Sequence, residues 1–471
     1  MKRPNSLNSP GTSLQGVFEP SSRSNRFLGL AATILILASL VINLGFGRWG
    51  SHIGTPIPGL YFSDFLLFAG ALLSLTQFHK ARLLPKTTLI FALPLIYFLI
   101  QAVSSVIRVP SSGYTLWVRD MAPFAYLSLV PLIALSLALL KPQVLVLIVR
   151  WSALIYAIGY ASSDLGLIPS WANVFIYSES VPTFSYRGDF TGFAIGIGIV
   201  AWGRWNFDLN RNSLMQGALL VIGLLASSRS ALVTLLILTI VSVLKDWSSS
   251  KFRGIFKLLF ATLITSILLS FTSMLVTHSE SPPESPPTLI TSFLKTPPAI
   301  DKSLSEAGGA TASARIATSI HVLHYLSTNS NWVLGSGPGT DALYFACTGI
   351  QVAPKRTILE SSSQMTYLPK CAVDSYEASS TLRDPHNWVL NLLLYHGVIG
   401  LLVITLVLVL PLWTLRSMTN YRLSAFGVIG LLTVSSFGVI LSAPFGLVPL
   451  TAFLAYLYAN AIRRESLLDT T

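Results

Sequence analysis

Charge is what this sequence has least of. Asp, Glu, Lys and Arg make up 11% of its 471 residues, against about 25% in an ordinary soluble domain. A shortfall of that size means that most of the surface does not face water, which excludes a conventional soluble fold. Acidic residues are the scarcer sign, 19 against 31 Lys and Arg, leaving a formal net charge of +12. Such an excess can mark nucleic-acid binding. Here the basic residues sit in short segments between apolar runs, with no RNA- or DNA-binding pattern, so nucleic acid is excluded as a partner. Cysteine is nearly absent: Cys347 and Cys371 are the only two, and nothing near them has metal-ligand spacing. There is no Ser/His/Asp triad and no dinucleotide fingerprint.

What abounds is apolar side chain, 52% of the residues, with a mean hydropathy of +0.65. A helix rises about 1.5 Å per residue, so a hydrocarbon core of about 30 Å takes about 20 apolar residues to cross. Such runs recur from Phe27 to Ile462. They predict an all-α, polytopic transmembrane helical bundle of about twelve spans. The first six lie near 27–46, 60–78, 86–107, 119–140, 143–163 and 190–206. The others lie near 212–226, 229–244, 256–277, 387–415, 422–441 and 444–462. The polar stretch Met1–Arg26 precedes a first run longer than a signal-peptide core of about 7–15 residues, so that run is expected to remain as a span.

The basic residues orient these spans under the positive-inside rule. With the N-terminus in the cytoplasm, Lys2, Arg3, Arg23, Arg26, Lys80, Arg82 and Lys86 fall inside. So do Arg204, Arg211, Lys245, Lys251, Arg253, Lys257, Arg416, Arg422, Arg463 and Arg464. The short outer segments hold only Arg48, Arg108, Arg119, Arg187 and Arg229. The chain then divides into a cytoplasmic tail (1–26), a helical part (27–277), a large external loop (278–386), a second helical part (387–462) and a second cytoplasmic tail (463–471).

The loop, about 109 residues long, opens on the Pro/Ser-rich "SESPPESPPT", which reads as extended chain. Within it, Ala312–Leu326 has helical periodicity, with Ile316, Ile320 and Leu323 on one face. The loop is therefore expected to be partly helical and to lie over the membrane helices. Both cysteines fall in it. An oxidising compartment permits a Cys347–Cys371 disulfide closing about 25 residues, and two free thiols are the alternative. His321 and His324 stand three apart without a carboxylate, so they read as surface residues rather than a metal site.

Several ionisable residues stand at expected outer edges of spans. Arg229, in "ASSRSALVTLLI", has two readings. It can clamp a pyrophosphate, because a guanidinium presents a rigid fork of donors to phosphate oxygens, or it can anchor the span at the headgroups. Arg187, in "FSYRGDFTGFAIG", has the same two readings. Arg315, at the start of the loop helix, is either a second phosphate ligand or simply solvated. In "RDPHNWVLNLLLYHGVIGLLVI", Asp384 can act as N-cap and Pro385 suits the first helical position. His386 would then sit in the first turn, where the macrodipole favours the neutral ring that a general base requires. An interfacial His satisfied by headgroups is the other reading. The run Gly335–Thr340, "GSGPGT", lacks the Gly-Lys-Ser/Thr ending of a phosphate loop and reads as a tight turn. Gly397 and Gly400 offer a small-residue face for helix packing.

The order of these segments, "SSRSALV" opening a span, then "ARIATSIHVL" and "GSGPGT" in a long external loop, then "PHNWVLNLLLYHGVIGLL", resembles the O-antigen ligase/polymerase superfamily of bacterial envelope glycosyltransferases. The resemblance covers roughly 187–410 and departs from the family at two places. His396 stands where an acidic residue is common, and the Arg187 segment lacks an Asn after its glycine. It implies a metal-independent enzyme without cofactors, in the bacterial inner membrane. Such an enzyme takes a glycan from undecaprenyl diphosphate and transfers it to an acceptor hydroxyl, on lipid A-core or a similar acceptor, at the periplasmic face. Arg229 and Arg315 then correspond to pyrophosphate-binding arginines and Arg187 to a looser Arg–Gly motif. His386 corresponds to the base, with Asn387 beside it and Asp384 in support. A polymerase of the same superfamily shares these features, and a membrane solute transporter is the alternative of another class.

Overall fold

A computed structural model of the chain describes residues 23–51, 60–80, 85–108, 114–164, 188–203, 211–224, 229–245, 322–327, 331–340, 387–416, 421–436 and 440–468. The regular elements are helices. α1 (Arg23–Ser51), α2 (Phe62–Ser74, continued by a 3₁₀ turn Leu75–Lys80), α3 (Pro85–Arg108), α4 (Tyr114–Ser128) and α5 (Val130–Ala138) come first. α6 (Pro142–Asp164), α7 (Gly188–Ala201), α8 (Arg211–Leu224) and α9 (Arg229–Lys245) follow, and after the loop come α10 (Trp388–Thr414), α11 (Tyr421–Ser435) and α12 (Pro444–Leu468).

Four of these helices are long and apolar enough to cross a bilayer, in the ranges 27–48, 142–162, 388–414 and 444–464, and a fifth is added if the bent pair α4–α5 counts as one span. The rest are shorter apolar helices. The architecture is that of an all-α membrane protein. The span expected at 256–277 lies outside the described residues.

The expected span at 119–140 is broken. Pro131 has no N–H to return to the turn before it, so the helix stops and restarts. Leu129 closes the first half with a tight bond from its N–H to the Tyr126 carbonyl (3.1 Å), and the two halves meet at 43°. The expected last pair separates differently from its sequence pattern. α11 ends at Ser435, and a 3₁₀ turn, Ile440–Ser442, leads into α12.

α12 is the pillar of the bundle. Its apolar window is wholly buried, because its side chains are apolar all round and can be covered only from every side. Phe453 sits against the flat face left by Gly427 of α11 and edge-on to Phe193 of α7, ring centroids 6.4 Å apart. Polar groups of α12 tie down its neighbours: the Tyr456 hydroxyl donates to the Pro142 carbonyl (2.8 Å), and Arg463 Nε donates to the Ala138 carbonyl (3.0 Å). At the periphery, α3 turns Leu95, Leu99, Ile100 and Val103 outward, a surface suited to acyl chains. Replacing Phe453 with Ala leaves a cavity that cannot collapse against α11 and is expected to cost about 3–5 kcal/mol. A fall in the melting temperature of the detergent-solubilised protein checks this.

Candidate functional site

Helix ends converge at one end of the bundle. α7 and α9 run parallel and touch, since a Cβ on Gly192 would overlap the Ala231 carbonyl, and further along Gly196 faces Leu238. Phe190, at the start of α7, meets Phe445, at the start of α12, edge-on at 5.3 Å, and it meets Tyr156 of α6 at 5.6 Å. The Asn387 amide donates to the Ser436 carbonyl just past α11 (3.3 Å), and the Asn391 amide donates to Ser442 Oγ just before α12 (3.4 Å). The starts of α7, α9, α10 and α12 therefore share one end with the close of α11. Arg229 is the first residue of α9 there, and Asn387 caps α10. Arg187, Arg315, Asp384, His386, Cys347 and Cys371 lie outside the described residues.

The start of α10 differs from expectation. Asn387, not Asp384, is the N-cap. Its backbone is extended (φ −144°, ψ 119°), and its Oδ1 accepts from the N–H groups of Val389 (3.0 Å) and Leu390 (3.2 Å). Asn is among the strongest capping residues because its short carbonyl reaches the orphan amides of the first turn. The first turn therefore begins at Trp388, after the Asn387 cap.

α10 itself is interrupted. Gly397 adopts φ 61°, ψ −165°, which breaks the ladder within the apolar run. The loop segment 331–340 fills the gap. Ser336 N–H donates to the Leu394 carbonyl (2.8 Å) and Gly337 N–H to the Tyr395 carbonyl (3.1 Å). In return, the Val398 and Ile399 N–H groups donate to the Trp332 (2.8 Å) and Val333 (3.2 Å) carbonyls. Backbone groups freed at membrane depth are tolerated only when protein satisfies them. Gly335, at φ 69°, lies directly against the break: a Cβ there would stand 2.5 Å from His396 N. "GSGPGT" is thus a turn, as its sequence indicates. The amides of Gly335, Ser336, Gly337 and Gly339, which a phosphate loop would offer to an anion, are already bonded, the last to Asp120 Oδ2 (2.8 Å). Gly400 does pack close to a neighbouring helix, at the Tyr97 hydroxyl of α3, whereas Gly397 serves as the break.

Beneath this seat is a polar cluster that sequence reasoning did not single out. His396 is 1% exposed, ringed by Phe124 (4.8 Å) and Tyr97 (5.8 Å). Its Nε2 faces the Asp120 carbonyl (3.0 Å), which can only accept, so Nε2 carries the proton. Nδ1 is then an acceptor for the Tyr97 hydroxyl (3.3 Å), which also lies 3.4 Å from the His396 carbonyl and accepts from Gln101 Nε2 (3.1 Å). Asp64, also inside an apolar helix, is held by the Tyr61 N–H (2.9 Å) and the Tyr126 hydroxyl. The signal was present in the sequence. Asp64, Asp120 and His396 are ionisable residues within apolar runs, where each is costly enough to need a partner.

The described part of the loop helix, 322–327, buries a face one step away from the expected one. Val322, Tyr325 and Leu326 pack on Leu394 and Tyr395 of α10, while Leu323 is 39% exposed. Packing against a helix rather than a lipid surface selected the i, i+3, i+4 set. In comparisons with known proteins, no family model matches the chain and no curated protein matches it.

Proposed function

We propose that the chain is an O-antigen ligase-like glycosyltransferase of the bacterial inner membrane. It moves a glycan from undecaprenyl diphosphate to a hydroxyl of lipid A-core or a similar acceptor at the periplasmic face, both termini being cytoplasmic. The observation that carries this reading is the gathering of helix ends. Arg229 at the start of α9, the start of α7 that follows Arg187, and the Asn387 cap that follows His386 share one end of the bundle. These are the positions at which the sequence resembles the ligase family.

The chemistry asks for two things at that end. The bond from the anomeric carbon to the diphosphate oxygen breaks as the acceptor oxygen bonds to that carbon, so negative charge grows on the departing diphosphate. Preorganised donors aimed at growing charge are worth roughly 2.7–4 kcal/mol each, and Arg229 and Arg315 fill that role, with Arg187 in support. The acceptor hydroxyl proton passes to His386, and one displacement inverts the anomeric centre. No metal enters the scheme. The test is the glycan profile of a null strain. Long lipid-linked chains and lipopolysaccharide without O-chain are expected. Single-repeat lipid-linked units would instead identify a polymerase.

A transport reading draws on the broken α10 and the bent α4–α5 pair, since transporters use discontinuous helices to bind solutes. In transporters the unwound carbonyls face the solute. In α10 the Leu394 and Tyr395 carbonyls are bonded to loop amides instead. Uptake of a labelled solute into vesicles, unchanged by His386→Ala, would favour transport.

A further inference from the structure

The break at Gly397 divides α10 into two helices. The inner one, from Val398 on, runs as an ordinary span. The outer one, Trp388–His396, is a strut of about nine residues and about 13 Å, at about 1.5 Å per residue. Its Asn387 end lies among the gathered helix ends. Its other end is held from three directions. The loop segment 331–340 closes on the carbonyls of Leu394 and Tyr395. Asp120 of α4 holds that segment through Gly339 N–H (2.8 Å). His396 bridges the Asp120 carbonyl and the Tyr97 hydroxyl of α3.

We propose that Asp120 and His396 are positioning residues for the transfer, holding the strut Trp388–His396 at the angle that presents its capped end to the reacting groups. The inference rests on the glycosyltransferase reading given above. Leverage gives it force. A rotation of about 5° about Gly397 moves the Asn387 end by about 1 Å over that length. A misplacement of about 1 Å at a reacting centre can cost about 10²-fold in rate. Neither residue is placed to touch substrate. Asp120 holds the loop amide through Oδ2 and faces Arg119 Nε through Oδ1 (3.9 Å), and His396 is enclosed by Phe124 and Tyr97, so their influence passes through the strut.

The side chains prescribe the test. Asp120→Asn keeps an oxygen able to accept from Gly339 N–H, whereas Asp120→Ala does not. His396→Gln keeps an N–H able to reach the Asp120 carbonyl, whereas His396→Ala does not. Transfer by the full-length protein in liposomes should show kcat falling about 10²-fold in each alanine variant. KM for the lipid-linked donor should be unchanged, and the conservative variants should recover most of the loss. Hydrogen–deuterium exchange should show the amides of 331–340 and 394–399 protected in wild type and Asp120→Asn but exchanging faster in Asp120→Ala. Full kcat in Asp120→Ala would overturn the inference. So would a loss expressed in KM, or a fall in kcat with exchange protection intact. If Asp120→Ala fails to accumulate, Tyr97→Phe removes only the hydroxyl on His396 Nδ1. A smaller fall in kcat at constant KM supports the inference, and unchanged kcat overturns it. The glycosyltransferase reading fails separately, if the wild-type protein transfers no glycan from a lipid-linked donor, while the exchange comparison still reports whether Asp120 seats the loop.

Discussion

Replacing His386 with Ala is expected to lower kcat for the proposed glycan transfer by about 10²–10⁴-fold, the range over which a positioned general base contributes. The protein remains abundant in the membrane. The second half of this expectation follows from the cap of α10. Asn387, not His386, satisfies the first amides of the helix, and its own amide ties the cap to Ser436. The first-turn amides that Asn387 satisfies do not depend on the side chain at position 386, so the substitution leaves this cap in place. The measurement is transfer from a lipid-linked donor to acceptor by the purified protein in liposomes, with abundance read by immunoblot. Undiminished transfer would remove His386 as the base. Loss of the protein from the membrane would show that its role is structural.

The second large effect is on assembly. Gly397→Val is expected to prevent accumulation of folded protein, and Gly335→Val to do the same. The backbone of Gly397 (φ 61°, ψ −165°) occupies a region essentially closed to residues with a Cβ, a cost of about 1–3 kcal/mol by itself. Space forbids the substitution as well. A Cβ at Gly397 would overlap the Val333 carbonyl and stand 2.5 Å from Gly335 N, and a Cβ at Gly335 would meet the backbone of Tyr395 at 2.5 Å. Backbone presses on backbone from both sides, so no side chain can yield. Separating the two strips the Leu394 and Tyr395 carbonyls and the Val398 and Ile399 amides of partners, at about 1–3 kcal/mol for each buried group left unmet. Gly217→Ala in α8 is the control. Nothing lies within 4 Å of its Cβ position, and replacing a helical glycine gains about 0.5–1 kcal/mol. Yield after detergent extraction and melting temperature compare the three variants. A Gly397→Val protein that melts like wild type would contradict the close seating of the loop.

Particular residues show what sequence can and cannot tell. That α9 opens at Arg229 was readable from "SSRSALV", because the polar-to-apolar change marks where a helix enters a membrane. The tight turn at "GSGPGT" was readable from its glycines. The cap of α10 was misread by three residues. Asp384-Pro385 is a good local start signal, but Asn387 is an equally good capping residue, and its amide has a tertiary partner in Ser436. On the loop helix Leu323 is exposed and Val322 buried, since both fit a 3.6-residue period equally well, while Ile316 and Ile320 lie outside the described residues.

Class and helical content are written along the chain, because apolar run length is a one-dimensional quantity that a bilayer reads segment by segment. Where the chain meets itself is not written that way. Tyr97 and His396 are 299 positions apart, and Gly339 and Asp120 are 219 apart. The bonds seating 332–337 on 394–399 join backbone amides and carbonyls, groups that nearly every residue carries alike. Residue type says little about which of them will pair, so the broken helix, its seat in the loop and the central place of α12 were decided only by packing.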